Sequence, residues 1–554
     1  MSIATIPPAV IANQHAASDP ATSAWVSANA GSGKTHVLAQ RVIRLLLEGT
    51  NPAKILCLTF TKAASANMAN RIFETLGKWV KLDDAELDAA IRDIGVRDIG
   101  PNRRAQARRL FASALETPGG LKVQTIHGFC TRLLQQFPFE ANVAARFRVL
   151  EETQQKQLLE DIRRAVLLDA ARQPDSPIGR ALEAIIPVAS DFVFELVLSE
   201  SIRERNDIAA WLAHAGGLDG ARSRLSAALG IEAGDTVASV EAEITDGPHL
   251  PSVQWTSAAA KCAEGSKTDQ TRGAKLLEAM AATGAPRIDA YVSVFLTEKE
   301  EPRKAILTAG LVKLYPDLAR RLGDEQVRVG SLCAKRRAVL TRDRTIALFT
   351  VAIEVIDRYT ATKNSRGLLD YDDLITHTQT LLRRVESAWV HYKLDLGIDH
   401  LLVDEAQDTS PDQWDIIKRF VSEFTSGAGA RGELRRSIFA VGDDKQSIFS
   451  FQGAAPDAFA DTRDFFKHAY EDASLPFSPI PFKYSFRSAP AVLDAVDVVF
   501  KQPAAHAGLT SIPEATVHEA VRSAAPGLVE IWPMVVPDPK SETDPWDAPF
   551  DKSS

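Results

Sequence analysis

The chain has 554 residues, of which 45% are hydrophobic and 25% are charged, as in ordinary globular proteins of more than one domain. Its formal net charge of -8 produces no overall basic field, so charge alone does not indicate a nucleic-acid partner. The four cysteines lack metal-ligand spacing, and we find no membrane-length apolar run and no signal-peptide pattern. We therefore expect a cytoplasmic protein with no membrane partner.

The first informative stretch is a glycine-rich turn, ANAGSGKT, between a predicted strand over Ala24–Ala28 and a predicted helix over Lys34–Glu48. It matches the phosphate-binding pattern G-x-x-x-x-G-K-[ST], except that Ala28 replaces the first glycine. Such a turn lets backbone N–H groups surround phosphate oxygens at a helix N-terminus. A chance glycine-rich turn before a helix is the alternative. We expect nucleotide contacts from Ala28, Asn29, Ala30, Gly31, Ser32, Gly33, Lys34, Thr35 and His36, with Lys34 on the β/γ-phosphates and Thr35 on Mg²⁺.

The following segments alternate between strand and helix patterns. The continuous apolar run Ile55–Phe60 predicts a strand covered on both faces. Ile72–Leu115 is predicted to be helical, and we interpret its arginines as a solvated helix face rather than as phosphate contacts. Val123–Phe129 is predicted to be a short strand and a turn. Residues 151–355 have helical periodicity and no strong strand signal, which indicates a large helical insertion.

The segment Leu401–Ser410 reads LLVDEAQDTS, in which an apolar run leads directly into two adjacent carboxylates. A buried strand that ends at the edge of a parallel sheet would present Asp404 and Glu405 in this way. One carboxylate can hold Mg²⁺ while the next polarises a water for nucleotide hydrolysis. We therefore predict that Asp404 is a metal ligand and Glu405 a general base. The alternative is a carboxylate pair that only caps a strand.

A further predicted strand, Ser437–Val441, leads into a stretch that reads GDDKQSIFSFQGA. Gln446 lies where an amide could sense a γ-phosphate or its attacking water. If the chain after Ser447 is extended, Phe449 and Phe451 share one face and suit stacking on unpaired bases, although spacing alone favours two core phenylalanines. Each predicted strand ends in polar or glycine-rich sequence, and ligands of open α/β sheets bind at such carboxyl ends.

Taken in order, AxxGSGKT, LTFTKAAS, TIHGFC, LLVDEAQDTS, AVGDDKQSIFSFQGA and YSFRS closely resemble the motifs of the superfamily 1A, UvrD/Rep-like DNA helicases. Within that group, three features most resemble the AddA-type helicase subunits of bacterial AddAB break-repair helicase–nucleases. These features are the long interval between TIHGFC and DEAQD, the segment FPFEANVAARFRVLEE, and LLDYDDLI at Leu368–Ile375.

The resemblance implies roles on the nucleotide side. Gln14 resembles the glutamine that reads adenine, and Phe486 stands where many relatives have a tyrosine packed on that base. Arg487 resembles the arginine that the second motor domain supplies to the γ-phosphate, which can contribute about 10³ to 10⁵ in rate. Asp443 and Gln446 resemble the residues that link hydrolysis to DNA movement. The expected catalytic residues are Glu405, Asp404, Lys34, Gln446 and Arg487.

On the DNA side, the resemblance implies two contact blocks, one around Phe60 and one around His127. Without it, Phe60 would be interpreted as a core residue and His127 as a structural histidine. The expected DNA contacts are Thr59, Phe60, Thr61, Thr125, His127, Phe449 and Phe451.

The expected fold class is α/β, with a P-loop RecA-like parallel sheet. Residues 1–150 and 356–480 would form the motor domain 1A, residues 151–355 a helical 1B-type insertion, and residues 481–554 the truncated start of a second RecA-like domain 2A. That last part would contain a helix over Ala489–Phe500 and a strand over Leu528–Trp532. Relatives continue through further helicase motifs and, in AddA, a nuclease domain. We therefore expect this chain to be an N-terminal piece of a longer protein.

The resemblance implies a 3′-to-5′ DNA helicase or translocase that uses ATP and Mg²⁺ and acts in double-strand break repair. It would bind single-stranded and double-stranded DNA and form a heterodimer with an AddB-type subunit. Two alternatives remain open at this point. One is a UvrD/Rep-type housekeeping repair helicase, and the other is a catalytically silent, ATP-dependent module that binds single-stranded DNA.

Overall fold

A computed structural model describes residues 6–118, 120–383, 397–425, 435–448, 453, 455–510 and 517–536. It contains two compact units. The first unit comprises Met1–Val149 together with Leu369–Ser554, and the second comprises Leu150–Leu368. Within the described ranges, no helix has the length and apolar character required to cross a membrane.

The strands are β1 (Ser23–Ala28), β2 (Ile55–Thr59), β3 (Lys122–Thr125), β4 (Arg148–Val149), β5 (Leu368–Leu369), β6 (His400–Val403), β7 (Ser437–Gly442), β8 (Phe477–Phe482), β9 (Tyr484–Ser485) and β10 (Glu519–Ala520). A six-stranded sheet with the order β3-β2-β6-β7-β1-β8 forms the centre of the first unit. All of its neighbouring strands run parallel. The predicted α/β class with a parallel sheet is confirmed.

The helices are α1 (Pro8–Ala17), α2 (Lys34–Leu47), α3 (Lys62–Lys81), α4 (Asp84–Asp93), α5 (Pro101–Glu116), α6 (Ile126–Gln136), α7 (Glu152–Arg172), α8 (Pro177–Ile185), α9 (Asp191–Arg203), α10 (Arg205–Ala215), α11 (Gly217–Ala228), α12 (Val237–Thr245), α13 (Trp255–Ala263), α14 (Lys267–Ala281), α15 (Ala285–Phe295), α16 (Ala309–Leu314), α17 (Pro316–Arg366), α18 (Tyr371–Arg383), α19 (Pro411–Thr425), α20 (Pro456–Asp472), α21 (Pro490–Phe500) and α22 (Pro503–His506).

Both faces of the sheet are covered, because successive side chains of a strand point to opposite faces. Trp25 belongs to one apolar cluster, while its neighbours Ala24 and Val26 belong to the other. The first cluster includes side chains from α6, α18, α19 and α20, and the second includes side chains from α2, α3, α4 and α5. Strands β2, β6 and β7 are buried along their whole length. Double coverage explains their continuous apolar sequence.

The second unit is built from helices. Its longest helix, α17, has 51 residues, which corresponds to about 75 Å at the usual rise per residue. Trp255 stacks on Tyr291 with ring centroids 4.5 Å apart, within one of the two apolar clusters of this unit. The Tyr291 hydroxyl donates to Glu325, which Arg328 also contacts, so this buried carboxylate is paired. Residues 150–367, all of which are described, carry only an isolated β-bridge, between Leu296 and Pro302.

The region predicted as one helical stretch, Ile72–Leu115, is divided among α3, α4 and α5. The arginines of α5 hold it against its neighbours. Arg104 donates to both carboxylate oxygens of Asp88, at 2.7 and 2.9 Å, and Arg108 donates to Asp84 at 2.7 Å. These contacts give Arg104 and Arg108 a structural role, whereas the sequence analysis interpreted them as part of a solvated helix face.

Two local predictions were wrong. The turn expected within Val123–Phe129 is the start of α6, because the Thr125 hydroxyl accepts a hydrogen bond from the Gly128 N–H at 3.2 Å and caps the helix. The residues Leu528–Trp532, all of which are described, do not form the expected strand. A strand needs a neighbouring strand for its backbone hydrogen bonds, and no described segment pairs with these residues. The Trp532 side chain is 81% exposed.

Candidate active site

The carboxyl ends of β2, β6, β7 and β1 lie side by side at one edge of the sheet. Leu58 is in register with Val403, and Val403 with Ala440. The Asp404 N–H continues this ladder by donating to the Leu58 carbonyl at 2.9 Å. The parallel arrangement therefore brings the glycine-rich turn, the turn after β2 and the segments that begin at Asp404 and Asp443 to the same edge.

The turn between β1 and α2 has the backbone of a phosphate-binding loop. Gly31 and Gly33 have φ angles of 73° and 88°, which L-amino acids with side chains rarely adopt. Helix α2 begins immediately afterwards at Lys34, so the N–H groups of Lys34 and Thr35 have no helical partner and can bind an anion. The Ser32 hydroxyl is buried without a hydrogen-bond partner among the described residues. These features fit a ligand with phosphate oxygens.

The Asn29 side chain makes its hydrogen bonds outside this loop. Its side-chain amide donates to the carbonyls of Lys483 and Val517, at 3.3 and 3.1 Å. The sequence prediction made Asn29 a nucleotide contact, whereas the structure uses its side chain to join the loop to the segments after β8. Ala28 ends β1, Ala30 lies within the turn, and Thr35 and His36 are half-buried in the first turn of α2.

Lys34 and Glu405 form an ion pair between the loop and the end of β6. The Lys34 Nζ atom lies 2.9 Å from Oε2 of Glu405, and the two side chains are 11% and 37% exposed. Glu405 adopts a left-handed conformation with φ 48° and ψ 47°, which is uncommon for a residue other than glycine. Such strain is often found at functional sites. The predicted phosphate-binding lysine and the predicted general base are thus direct neighbours.

The carboxylates near the end of β6 have shifted pKa values. Asp404 is 5% exposed, and burial together with the nearby Glu405 raises its pKa to about 6. Burial and Glu405 likewise raise the pKa of Asp408 to about 6. Burial alone would raise the pKa of Glu405, but Lys34 and the Gln407 amide outweigh that effect and lower it. Glu405 is therefore ionised at neutral pH, as a base that accepts a proton from water must be.

The donor set fits Mg²⁺. No group of three or more His, Cys, Asp or Glu side chains suited to a metal exists in the described parts of the chain. Mg²⁺ needs no such group, since it usually takes one or two protein oxygens and completes its shell with phosphates and waters. The buried Asp404 carboxylate, which lies beside a second negative charge, is the donor that a divalent cation would stabilise. Thr35, adjacent to Lys34, would offer a hydroxyl.

Gln407 joins the turn after β6 to the turn after β7, and the sequence analysis assigned it no role. It is 2% exposed. Its Nε2 donates to Oε2 of Glu405 at 2.9 Å, and its Oε1 accepts from the Asp443 N–H at 2.9 Å. A Cβ atom on Gly442 would lie 2.7 Å from that Oε1, so this approach requires glycine. The only signal in the sequence is a glutamine within DEAQD and a glycine before Asp443.

Asp443 organises the turn after β7. It is 2% exposed, and the Lys445 Nζ atom lies 3.0 Å from its Oδ1. The Gln446 amide donates to its other carboxylate oxygen, Oδ2, at 2.5 Å. Gln446, the residue predicted to sense the γ-phosphate, is exposed, and hydrogen bonds through Asp443 and Gln407 join it to Glu405.

The residues predicted to contact the base lie next to the phosphate loop. A methyl group on Gly33 would lie 3.7 Å from the Gln14 amide nitrogen and 3.8 Å from the Phe486 ring. The Phe486 N–H donates to the Gly31 carbonyl at 2.8 Å. Arg487 is exposed, and its guanidinium has no hydrogen-bond partner within the described ranges. A shallow depression beside the loop is lined by Val10, Asn13, Gln14, Ser32, Phe482, Lys483 and Tyr484.

The turn after β2 contains the first predicted DNA block. The Thr59 hydroxyl is buried, donates to the Thr61 carbonyl at 3.0 Å and contacts the Ser65 hydroxyl, so it shapes the turn from inside. The exposed Thr61 caps α3 by accepting from the Ala64 N–H at 3.0 Å. Phe60 is half-buried between them. Phe60 and Thr61 are accessible to a ligand, whereas Thr59 supports them.

The turn after β3, which neighbours β2, contains the second block. Thr125 caps α6 as described above. The half-buried His127 ring packs edge-on against Tyr371, with ring centroids 5.0 Å apart. Burial lowers the pKa of His127 to about 4, so the ring is neutral at physiological pH. Phe449 and Phe451 lie outside the described residues.

Replacing Asp404 with Asn should stabilise the nucleotide-free chain at neutral pH. The folded-state pKa near 6 exceeds the ordinary 3.8, so the folded state binds more protons than the unfolded state between these values, and stability falls as pH rises through that window. Asparagine removes this penalty, which is at most about 3 kcal/mol. Urea denaturation should therefore show a gain at about pH 7.5 that shrinks towards about pH 5. A variant less stable than the wild type at neutral pH, or a gain independent of pH, would contradict the account.

Comparisons with known proteins agree with this geometry. Residues 11–467 match the UvrD/REP helicase N-terminal domain. The chain is 25% identical to the AddA protein of Anoxybacillus flavithermus, an ATP-dependent helicase/nuclease subunit, over 86% of this chain and 39% of that protein. It is 26% identical to the same-named protein of Latilactobacillus sakei, covering 86% and 53%, and 27% identical to that of Desulforudis audaxviator, covering 86% and 38%. The chain thus spans between 38% and 53% of the length of these relatives. Because the matched domain covers most of its residues, the chain belongs to the UvrD/REP helicase N-terminal domain family.

Proposed function

We propose that this chain carries the ATP-hydrolysing motor of a DNA helicase and uses Mg–ATP to move along single-stranded DNA. The observation that carries the proposal is the meeting of Lys34, Asp404 and Glu405 at the carboxyl edge of a parallel sheet, beside a phosphate-binding turn. The family match adds that this site belongs to a helicase domain.

The site divides the work of hydrolysis among its residues. The N–H groups of the loop and the Lys34 ammonium bind the β- and γ-phosphates. Thr35 and Asp404 would hold Mg²⁺, which, when bound, neutralises charge that develops on the phosphate oxygens. Glu405, ionised and next to Lys34, orients the attacking water and accepts its proton. Arg487, exposed beside Gly31, would complete the charge stabilisation.

Lys34 could exchange its ion-pair partner Glu405 for the phosphate of a bound nucleotide. Phosphate oxygens carry more negative charge than one carboxylate, so a bound nucleotide would attract the ammonium away from Glu405. The Oε2 atom of Glu405 would then lose its lysine partner and could accept a proton from water. The Gln407 amide would continue to donate a hydrogen bond to that atom. The general base would thus become available when the substrate arrives.

The DNA side of the proposal rests on the turns at the same sheet edge. Phe60 is half-buried, Thr61 is exposed, and His127 is neutral and packed against Tyr371. A partly exposed aromatic ring suits stacking on a base of single-stranded DNA. The turn that carries Gln446 begins at the carboxyl end of β7, which is separated from β2 by β6 at the same sheet edge.

The names of the relatives support a narrower assignment. We propose that the chain is an AddA-type subunit with 3′-to-5′ polarity that acts in double-strand break repair in the cytoplasm, together with an AddB-type subunit. In this assignment, residues 1–150 and 356–480 are motor domain 1A, residues 151–355 the 1B-type insertion, and residues 481–554 the start of domain 2A. The relatives carry the name of AddA-type helicase/nuclease subunits, and each alignment covers 86% of this chain.

ATP turnover with and without single-stranded DNA tests the general proposal. Lys34→Ala and Glu405→Gln should each lower kcat by about 10²-fold or more, because each removes a group that acts on the reacting phosphate or water. Lys54→Ala is the matched control, since Lys54 pairs with Asp399 at 3.0 Å beside the amino end of β6 and should leave turnover unchanged. If the wild type hydrolyses ATP no faster than Glu405→Gln, the chain is a silent binding module and the proposal fails.

Co-purification tests the narrower assignment. An AddB-type subunit expressed with this chain should elute with it in size-exclusion chromatography as a one-to-one complex. A UvrD/Rep-type housekeeping helicase has no such partner. Separate elution of the two proteins at micromolar concentration would therefore contradict the AddA-type assignment and leave the ATPase proposal intact.

A further inference from the structure

We propose that Gln407 is a positioning residue that couples the nucleotide site to the DNA-contacting side through the turn after β7. The proposal rests on the proposed function, because it concerns how that same site communicates. Among the described residues, Gln407 makes no hydrogen bond to the phosphate loop or to Phe60, Thr61 and His127, the residues proposed to contact DNA. It connects Glu405, at the end of β6, to Asp443, at the end of β7.

The hydrogen bonds of Gln407 allow only one orientation of its amide. Nε2 faces two carboxylates, Glu405 Oε2 at 2.9 Å and Asp408 Oδ2 at 3.3 Å, and both accept hydrogen bonds. Oε1 faces the Asp443 N–H at 2.9 Å, which can only donate. Rotating the amide by half a turn would set oxygen against two carboxylates and NH₂ against an N–H group. The amide therefore has one fixed orientation, with its NH₂ group towards the end of β6 and its oxygen towards the end of β7.

Burial makes this link stiff. Gln407 is 2% exposed, and there is no room for a Cβ atom on Gly442, which would also lie 2.9 Å from the Phe459 ring. Close packing on this side means that the turn after β7 cannot shift without moving the amide. The Ser447 hydroxyl adds a second hydrogen bond between the two turns, because it donates to the Gln407 carbonyl at 3.4 Å.

The consequence is a continuous chain of contacts from the general base to the Gln446 turn. Glu405 is held by Gln407, Gln407 holds Asp443, and Asp443 holds the side chain of Gln446. A change in the Gln446 turn on binding DNA would alter how Glu405 is held, and a change at Glu405 on binding nucleotide would alter that turn. Coupling between two binding sites must be reciprocal.

The test measures this coupling as a ratio of dissociation constants. The Kd of a fluorescent, non-hydrolysable ATP analogue is determined with and without a thymidine oligonucleotide. In the wild type, DNA should change that Kd by about 5-fold or more. In Gln407→Met, which has a similar volume but makes no amide hydrogen bonds, the change should fall below about 2-fold, while the Kd without DNA stays within about 3-fold of the wild type.

Gln379→Met is the matched control. Gln379 is 8% exposed and donates to the main-chain and side-chain oxygens of Asp412, at 3.1 and 3.0 Å, so the substitution removes a comparable buried amide. It should lower stability without changing the ratio. If Gln407→Met does not fold, Gln407→Asn replaces it, because its amide is one methylene too short to span Glu405 and Asp443.

The outcomes separate this inference from the function on which it rests. A wild type that binds neither the analogue nor the oligonucleotide would overturn the proposed function. A wild type that binds both without coupling would overturn the role of Gln407 alone, and so would a Gln407 variant that retains the wild-type ratio. If DNA also fails to change the Kd of the analogue in Gln379→Met, the effect is a general one of removing buried amides, and the proposal is overturned.

Discussion

The ion pair between Lys34 and Glu405 compensates part of a concentration of negative charge that the fold otherwise has to tolerate. Strand β6 delivers Asp404 and Glu405 to the sheet edge in succession, and Asp408 follows within one turn. Burial and the neighbouring negative charge of Glu405 raise the pKa values of both aspartates, which shows that their charged forms are costly here. Lys34 supplies one positive charge, and a divalent cation would supply more. The clustered negative charge that destabilises the empty site would therefore favour the binding of a cation.

The sheet explains why these groups meet at all. Residues that are 371 positions apart in sequence lie 2.9 Å apart because β1 and β6 end at the same edge. Both faces of the sheet are covered by helices, so the strands are fixed by packing and the turns at their ends are free to carry polar chemistry. The helical second unit lies between β4 and β5 in the chain and leaves the order of the central strands intact.

Much of the geometry of the candidate site was predictable from sequence, because its signals are local. A buried run followed by Asp404 and Glu405 and a glycine-rich turn followed by Lys34 each identify a strand end without reference to the rest of the chain. Gln407 was not predictable in this way, since its role depends on β6 and β7 being neighbours. Asn29 was assigned to the nucleotide by its place in the motif, but contacts distant in sequence, at Lys483 and Val517, determine its orientation.

The two errors in predicted secondary structure have different causes. The start of α6 depends on a single capping hydroxyl, Thr125, within a short segment where strand and helix patterns overlap. The run Leu528–Trp532 has the composition of a strand, but a strand exists only when another strand pairs with it. Local composition therefore predicts which segments are able to be strands, and tertiary pairing decides which of them are.

The central claim is that Lys34 and Glu405 interact in the folded chain before nucleotide binds. A double-mutant cycle with Lys34→Met, Glu405→Gln and the double variant, read by urea denaturation without nucleotide or Mg²⁺, tests it most directly. The account predicts a coupling free energy of about 1 kcal/mol, reduced from that of a fully buried pair because the Glu405 side chain is 37% exposed. Single-variant effects that add to within about 0.3 kcal/mol would contradict the claim.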